Sequence, residues 1–325
     1  MSGPMLPHGR LRRPALTGAA AFTMSSGGSP DGRAYHTMEP MMTAETTGRA
    51  ACLIGWPAAH SRSPLIHHYW LRLHRIKGGY SIEAIPPEGF AEFVMHLSAR
   101  GFVGANVTIP HKERALQLTE PDERARAVGA ANTLYYEGTT LRSTNTDVEG
   151  FIGNLDAVAP GWDRIEEALV LGAGGSSRAV VFGLIERGIR RIHLVNRTME
   201  RAQLLADQFG TTVVPAAWNT LGDVLPRIGL LVNTTSLGMT GQPPLHIELP
   251  LLPREAVVAD LVYVPLETPL LAAARARGLR TADGLGMLLH QAVRGFELWF
   301  ELRPAVTQEL RKLVETDLRT SQPAT

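Results

Sequence analysis

The stretch that decides the fold reads ALVLGAGGSS and occupies residues 168–177. Its apolar first half predicts a buried strand, and the helical spacing of apolar residues after Ser177 predicts a helix, so the glycines form the turn between them. In dinucleotide-binding units such a turn lets the backbone approach a pyrophosphate, which lies on the N–H groups of the helix N-terminus. The third glycine of that fingerprint is Ser177 here. The stretch therefore predicts a nucleotide-binding α/β unit, and a glycine turn that binds nothing is the alternative.

The next predicted strand ends at Asn196 and Arg197, and Arg201 follows one helical turn later. An NAD site usually has Asp or Glu at this strand end, because the carboxylate binds the ribose 2′-hydroxyl. Guanidinium groups instead bind a 2′-phosphate, to which they donate paired hydrogen bonds. The sequence therefore predicts NADP as the cofactor. The alternative is that Arg197 and Arg201 are solvated surface charges.

Length and composition limit the class of protein. The 325 residues are 44% hydrophobic and 19% charged, which is enough apolar material for two folded domains. A formal net charge of +1 gives no reason to expect a nucleic-acid partner. The single cysteine, Cys52, excludes an intramolecular disulfide and fits a reducing compartment. No apolar run approaches a membrane span, so we expect a cytoplasmic protein without a membrane partner.

Alternating strand and helix patterns predict an α/β fold of two domains, with mostly parallel sheets and crossover helices. The expected segments are a disordered extension at 1–48, a substrate-binding and catalytic domain at 49–150, a Rossmann-like NADP-binding domain at 151–285, helices at 286–315 that pack back on the first domain, and a tail at 316–325. The alternative for the extension is a start codon placed too far upstream. A hairpin is expected around Gly138, and a ligand cleft is expected between the domains.

Two polar clusters in the first domain follow predicted strands. Ser61 and Ser63 precede a helix that has Pro64 near its first turn, and two hydroxyls with helix N–H groups suit a carboxylate. A simple helix cap is the alternative for either serine. Asn106, Thr108 and Lys112 lie at and beyond another strand end. A lysine that faces a cleft is a candidate acid–base group, and a surface lysine is the alternative.

A third polar cluster contains Asn132 and Asp147, whose side chains suit vicinal hydroxyls, although Asx turns and helix caps use the same residues. Three histidines, His60, His67 and His68, raise the question of a metal site. His60 lies in a predicted turn, and the adjacent helical positions 67 and 68 point about 100° apart. We therefore expect these histidines to pack rather than to bind a metal.

Taken together, these blocks resemble the shikimate dehydrogenase family over about residues 50–303. The blocks that carry the resemblance are Gly55–Pro64, Gly104–Lys112, Ala130–Thr133, Asn145–Asp147, Gly172–Ser177, Asn196–Arg201, Asn233–Gly238, Asp260–Pro265 and Gly284–Gln291. Members of that family are oxidoreductases that act on CH–OH groups and reduce 3-dehydroshikimate to shikimate with NADPH, in the biosynthesis of chorismate and aromatic amino acids. The resemblance implies the same reaction here.

The resemblance also implies roles for individual residues. Lys112 and Asp147 form the implied catalytic pair. The implied substrate contacts are Ser61, Ser63, Thr108, Lys112, Asn132, Asp147, Tyr263 and Gln291. The implied cofactor contacts are Gly172, Ala173, Gly174, Gly175, Ser176, Asn196, Arg197, Thr198, Arg201, Leu261, Gly284 and Glu123. A homodimer is a further expectation taken from the family.

Two other functions stay open at this point. Val148 stands where the family often has glycine, which leaves room for a quinate/shikimate dehydrogenase of broader substrate range. An acidic residue in place of Arg197 would favour an NAD-dependent version of that enzyme, and Arg197 argues against it. The second alternative is a non-catalytic NADP-binding regulator on the same fold, which we would expect to lack Lys112 or Asp147.

Overall fold

The computed structural model describes residues 48–59 and 61–320. The first lobe is built on a six-stranded sheet with the strand order β2-β1-β3-β5-β6-β4. Its elements are β1 (Arg49–Gly55), α1 (Ser63–Leu73), β2 (Gly78–Ala84), α2 (Pro87–Met95), β3 (Phe102–Val107), α3 (Lys112–Leu118), β4 (Glu120–Pro121), α4 (Glu123–Val128), β5 (Thr133–Glu137) and β6 (Thr140–Thr144). Parallel pairing joins β1 to β2 and β3, and β4 to β6. The predicted hairpin is confirmed as the antiparallel pair β5–β6, with Gly138 in its turn.

The second lobe contains an entirely parallel sheet of six strands. Its elements are α5 (Thr146–Val158), β7 (Glu167–Leu171), α6 (Gly175–Glu186), β8 (Arg191–Val195), α7 (Met199–Phe209), β9 (Val213–Ala216), α8 (Leu221–Val224), β10 (Leu230–Asn233), β11 (Val257–Asp260), α9 (Pro269–Ala276) and β12 (Arg280–Ala282). The order β12-β11-β10-β7-β8-β9 places the first strand of this lobe beside the fourth. That arrangement is the doubly wound nucleotide-binding topology, and it confirms the predicted fold class.

The glycine turn lies at the point where this strand order reverses, between β7 and β10. Residues 168–171 of β7 are fully buried, as expected for a central parallel strand covered by helices on both faces. The sequence signal was strong because such strands are apolar without alternation. Ligands bind at this edge of doubly wound sheets, where the connections leave a crevice.

Two final helices, α10 (Gly284–Phe300) and α11 (Gln308–Thr320), pack against the first lobe. Trp299 is buried and donates its indole N–H to the carbonyl of Leu134 at 2.8 Å. The expectation of a tail from residue 316 differs from the structure, because α11 continues to Thr320. Val314 and Leu318 are buried on one face of that helix, and this apolar contact holds the stretch in place.

Helix α5 links the two lobes. It starts at Thr146, because Asn145 caps it and accepts a hydrogen bond from the Asp147 N–H at 3.1 Å. This start places Asp147 in the first helical turn. In the residues that the structure describes, no helix has the length and apolarity needed to cross a bilayer.

Candidate active site

A cavity of about 360 Å³ lies between the two lobes. Eleven of the residues expected at a substrate or cofactor site line it: Ser61, Ser63, Thr108, Lys112, Asn132, Asp147, Ser176, Leu261, Tyr263, Gly284 and Gln291. Residues from both lobes take part, because the cavity lies at the carboxyl ends of strands in both sheets. The structure thus brings together side chains that are far apart in the sequence.

Lys112 and Asp147 form an ion pair in the wall of this cavity. Lys112 Nζ donates to Asp147 Oδ2 at 2.5 Å, and Asn132 Nδ2 donates to Asp147 Oδ1 at 2.8 Å. Both carboxylate oxygens are therefore bound. The Lys112 side chain keeps 25% of its surface exposed, against 14% for Asp147. The ammonium group is thus fixed by the carboxylate and still has open space in front of it.

Backbone contacts hold this pair in place. Lys112 is the first residue of α3, and its carbonyl accepts the Ala131 N–H at 3.0 Å. The side chain of Asn132 accepts the Thr146 N–H at 2.7 Å. One amide side chain thus binds the start of α5 with its oxygen and Asp147 with its nitrogen. The distance between Lys112 and Asp147 is set by these connections and not by the two flexible side chains alone.

Hydroxyl groups cluster at another side of the cavity, next to the start of α1. Ser61 Oγ lies 3.2 Å from Ser63 Oγ and accepts the Ser63 N–H at the same distance. Burial raises the pKa of Tyr263, although the positive charge of Arg62 opposes that rise. The Tyr263 hydroxyl therefore remains protonated and can donate. Three hydroxyls and a helix N-terminus at one side of a cavity suit a carboxylate.

The segment that carries Leu261 and Tyr263 is fixed by a buried carboxylate. Asp260 accepts hydrogen bonds from Asn233 at 2.9 Å, from the Val262 N–H at 3.1 Å and from Thr268 at 2.7 Å. Burial raises the pKa of Asp260, and these donors partly offset the rise. These hydrogen bonds fix the path of the chain after β11. Leu261 and Tyr263, which follow Asp260, line the cavity.

The glycine turn joins β7 to α6 and leaves room for a ligand at its tip. A Cβ atom added to Gly174 or Gly175 would have no heavy atom within 4 Å. Gly172 differs, because its φ is +104° and an added Cβ would lie 2.7 Å from Thr234 Oγ1. The open glycines and the N–H groups at the start of α6 form a cradle in which a pyrophosphate fits.

Ser177 occupies the position of the third glycine, and its side chain forms hydrogen bonds within the turn. Its hydroxyl is fully buried, donates to the Gly172 carbonyl at 2.7 Å and accepts the Gly174 N–H at 3.1 Å. It also lies 2.6 Å from Thr234 Oγ1, at the end of β10. The serine therefore closes the turn from inside and connects two adjacent strands of the sheet.

The basic end of β8 lies beside the same turn. Asn196 Oδ1 accepts the Ala173 N–H at 3.2 Å, so this side chain bridges β8 and the glycine turn. Arg197, Thr198 and Arg201 are exposed. Among the described residues, neither guanidinium is ion-paired with a carboxylate. The group of residues suits a ribose 2′-phosphate, and with the open glycines it fits NADP.

Glu123 does not line this cavity, and a cofactor contact at Glu123 stays a prediction. Glu123 is exposed in the first turn of α4 and borders a second cavity of about 620 Å³. Asp122 caps that helix by accepting the Ala125 N–H at 2.8 Å. Asp122 and Glu123 both line the second cavity, and no sequence pattern distinguishes this position from one at the cleft.

The histidines have unrelated surroundings. His67 is buried in the core and stacks on Tyr80 with ring centroids 4.1 Å apart. His68 Nε2 accepts the Tyr80 N–H at 3.3 Å. His60 lies outside the described residues. The two described histidines thus serve packing and a strand contact.

Sequence reasoning did not assign a role to several residues that line the cavity, namely Leu53, Pro57, Ala58, Asn106, Val107, Ile109, Met287 and Leu288. Most of them are apolar, and an apolar residue at a strand end looks the same whether it faces a ligand or the core. Asn106 is the exception. The sequence already groups it with Thr108 and Lys112, although without a role of its own, and its position two residues before Thr108 places both side chains on one face of the chain.

Comparison with known protein families gives three consecutive matches. The shikimate dehydrogenase substrate-binding domain matches residues 53–134, the shikimate/quinate 5-dehydrogenase family matches residues 163–239, and the shikimate 5′-dehydrogenase C-terminal domain matches residues 284–315. Lys112, the glycine turn and the start of α10 fall within these segments. Asp147 lies between the first two.

Individual relatives agree with these matches. A shikimate dehydrogenase (NADP(+)) of Nitrobacter hamburgensis is 87% identical over 285 residues, which cover 88% of this chain and 100% of that protein. The crystal structure of shikimate 5-dehydrogenase from Thermus thermophilus with NADP(H) and shikimate has a TM-score of 0.73 at 35% identity, covering 84% of this chain and 100% of that one. Quinate dehydrogenase from Corynebacterium glutamicum with NAD has a TM-score of 0.76 at 31% identity, covering 83% and 99%.

Proposed function

This chain belongs to the shikimate dehydrogenase family, and we propose that it catalyses the reversible, NADPH-dependent reduction of 3-dehydroshikimate to shikimate. The observation that carries the proposal is the Lys112–Asp147 pair, with Nζ and Oδ2 2.5 Å apart in a cavity that the glycine-turn lobe closes on one side. The reaction belongs to the biosynthesis of chorismate and aromatic amino acids. A non-catalytic regulator would not need such a pair.

The cavity offers a distinct partner for each end of the substrate. Ser61, Ser63 and Tyr263 supply hydroxyls for the ring carboxylate, with helix N–H groups behind them. The ring hydroxyls would contact Thr108, Asn132, Asp147 and Gln291. Amide, hydroxyl and carboxylate groups match vicinal hydroxyls because together they both donate and accept hydrogen bonds. This two-ended recognition holds the keto carbon in one orientation relative to Lys112.

The proton is handled by the protein. On reduction, the Lys112 ammonium donates a proton to the oxygen of the keto group, which becomes the alcohol. On oxidation the neutral amine accepts that proton. Asp147 stabilises the ammonium form and aims it, and Asn132 prevents the carboxylate from rotating. Such general acid–base catalysis contributes about 10²–10⁴ in rate.

The nucleotide lobe would hold NADP, which supplies the hydride when bound. The turn from Gly172 to Ser176 would carry the pyrophosphate on its backbone, and Asn196, Arg197, Thr198 and Arg201 would surround the 2′-phosphate. Leu261 and Gly284 would border the nicotinamide end, since both line the cavity.

The test is a steady-state assay of the full chain with shikimate and with quinate, each with NADP and with NAD. We expect the highest kcat/KM for shikimate with NADP. Lys112→Ala should lower kcat by at least about a hundredfold, whereas Lys77→Ala, at an exposed lysine, should match the wild type. Higher kcat/KM with quinate and NAD would instead identify a quinate dehydrogenase. Near-normal kcat in Lys112→Ala would refute the acid–base role.

The proposed location of the enzyme follows from its single cysteine. We place the enzyme in the cytoplasm, where a reduced thiol is stable. Burial raises the pKa of Cys52 well above its ordinary value, which keeps the thiol protonated and inert.

The homodimer stays a prediction from the family. Light scattering coupled to gel filtration would test it, and a monomeric mass at micromolar concentration would contradict it.

A further inference from the structure

A buried hydrogen bond lies beneath the substrate side of the cavity, between two strands that flank β1. Tyr80 in β2 donates its hydroxyl to Asn106 Oδ1 in β3 at 2.6 Å. The two side chains are 4% and 3% exposed. Asn106 lines the cavity, whereas Tyr80 is not among its lining residues. A short, buried and neutral hydrogen bond of this kind fixes the orientation of its acceptor.

The orientation of the Asn106 amide follows from this contact. Because the oxygen accepts from Tyr80, the nitrogen faces the opposite way. There it donates to Thr133 Oγ1 at 3.1 Å and to the Asn132 carbonyl at 3.3 Å. A reversed amide would direct its oxygen at the Asn132 carbonyl and its nitrogen at the Tyr80 hydroxyl. The carbonyl of Asn132 can only accept, so it excludes the reversed amide, and the Tyr80 hydroxyl holds the amide oxygen in its observed place.

From Asn132 the connection continues to the reacting groups. The backbone carbonyl of Asn132 is held by Asn106, and its side chain donates to Asp147 Oδ1 at 2.8 Å. Asp147 in turn holds Lys112 Nζ. Thr133 Oγ1 adds a second route, since it lies 3.1 Å from Asn132 Oδ1 and 3.0 Å from Thr146 Oγ1. Tyr80 is thus linked to the catalytic pair through one continuous network of hydrogen bonds.

The surroundings of Tyr80 keep its hydroxyl a donor. Its ring is stacked on the His67 ring at 4.1 Å with an interplanar angle of 11°. Burial raises the pKa of Tyr80 well above its ordinary value, and burial lowers the pKa of His67 to about 3. Both rings are therefore neutral under ordinary conditions. The stack restrains the tyrosine without adding a charge beside the site.

We propose that Tyr80 is a positioning residue for the Lys112–Asp147 pair, which it orders through Asn106 and Asn132. The proposal rests on the proposed function, because the pair must carry the reaction for its position to affect turnover. Tyr80 itself touches no reacting atom. Its hydroxyl is required because a phenylalanine ring would fill the same space and leave the buried Asn106 Oδ1 without the donor that holds it.

The first test compares Tyr80→Phe with the wild type and with Tyr136→Phe. The control removes a hydroxyl that accepts the Ser98 N–H at 3.2 Å on the same sheet, away from the cavity. We expect kcat for shikimate to fall about tenfold in Tyr80→Phe, while the KM for NADP stays within about twofold. Tyr136→Phe should match the wild type. Wild-type kcat in a folded Tyr80→Phe variant would overturn the proposal.

A double-mutant cycle distinguishes positioning from a general structural role. If Tyr80 acts through Asn106, then adding Tyr80→Phe to Asn106→Ala should change kcat by less than about twofold. Independent losses that multiply would overturn the proposal. Should Tyr80→Phe fail to fold, Asn106→Asp gives the answer, because its carboxylate accepts from Tyr80 but cannot donate to Asn132. Wild-type kcat in that variant would also overturn it.

The two proposals fail in different ways. A wild-type enzyme that does not oxidise shikimate with NADP contradicts the proposed function itself. An active wild type whose Tyr80→Phe and Asn106→Asp variants keep full kcat contradicts only the role of Tyr80. Thermal unfolding of each variant, measured alongside, shows that a loss of kcat belongs to folded protein.

Discussion

The two lobes contribute to the cleft in opposite ways. On the substrate lobe, buried side chains such as Asn132 and Asn106 have nearly every polar atom bound to another protein group. On the nucleotide lobe, the surface offered to a ligand is backbone at Gly174 and Gly175 and exposed guanidinium groups at Arg197 and Arg201. One side is ordered before any ligand arrives, and the other is open and charged.

This difference indicates which task each lobe performs. Chemistry at a fixed carbon requires groups held within a fraction of an ångström, which buried hydrogen bonds provide. Cofactor binding requires access and charge, which a glycine turn and flexible arginines provide. We therefore expect substitutions on the substrate lobe to lower kcat, and substitutions on the nucleotide lobe to raise the KM for NADP.

The largest effect is expected at Asp147. Asp147→Asn keeps the shape but removes the charge that holds Lys112 and leaves the ammonium free to leave its position. We expect kcat to fall by about 10²–10³ with little change in the KM for NADP. Steady-state kinetics measure this, and Asp207→Asn, on the exposed face of α7, is the control. A rise in the KM for NADP at unchanged kcat would contradict this difference between the lobes.

Substitutions at two glycines of the same turn should have different effects, one on cofactor binding and the other on folding. Gly174→Val would fill the open space in which we propose that the pyrophosphate lies, so we expect the KM for NADP to rise at least about tenfold with unchanged thermal stability. Gly172→Ala places a Cβ 2.7 Å from Thr234 Oγ1 at a φ of +104°. It should lower the free energy of unfolding by about 1–3 kcal/mol. Each variant is the control for the other. If both variants changed the KM for NADP and the free energy of unfolding to the same extent, the separate roles of Gly174 and Gly172 would be contradicted.

The arginines at the end of β8 should control cofactor choice. The double variant Arg197→Ala/Arg201→Ala removes both guanidiniums, and we expect kcat/KM with NADP to fall about tenfold or more. Values with NAD should hardly change, because NAD has no 2′-phosphate. Arg254→Ala, at another exposed arginine, serves as control. A parallel loss with both cofactors would show that the arginines act on the pyrophosphate or the fold.

The last effect is expected on the pH dependence of stability and not on turnover, at His67 in the substrate lobe. Burial lowers its pKa to about 3 from 6.5, so the unfolded chain binds a proton that the folded chain excludes. Its contribution to stability is fully present above the unfolded pKa and is lost as the pH falls toward the folded one. Between about pH 7 and pH 5, the wild type should lose about 2 kcal/mol more than His67→Phe.

Urea unfolding at both pH values measures this difference. His74→Phe, an exposed histidine just beyond the same helix, should behave like the wild type. If the free energy of unfolding of His67→Phe falls as much as that of the wild type over this pH range, protonation of His67 is not the cause of the loss. In the described part of the nucleotide lobe, the buried histidine His193 differs from His67, since it contacts Glu167 at 2.8 Å.

How much of the site the sequence predicts depends on how local the signal is. The glycine turn and the pair Asn196–Arg197 were visible because strand, turn and helix follow one another directly. The helical stretch after residue 316 was missed because Leu310, Val314 and Leu318 become informative only once a surface exists to cover them. The surroundings of Glu123 needed the structure for a related reason, since a helix start does not reveal which cavity it borders.

The sequence by itself determined the doubly wound lobe, the cofactor class and the set of candidate polar groups. Each depends on residues close together in the chain, where backbone geometry leaves few alternatives. The tertiary structure alone decided which groups meet. Lys112 and Asp147 are 35 positions apart, and Tyr80 and Asn106 are 26 apart. Their contacts depend on strand register and on where α5 begins, and packing over the whole lobe sets both.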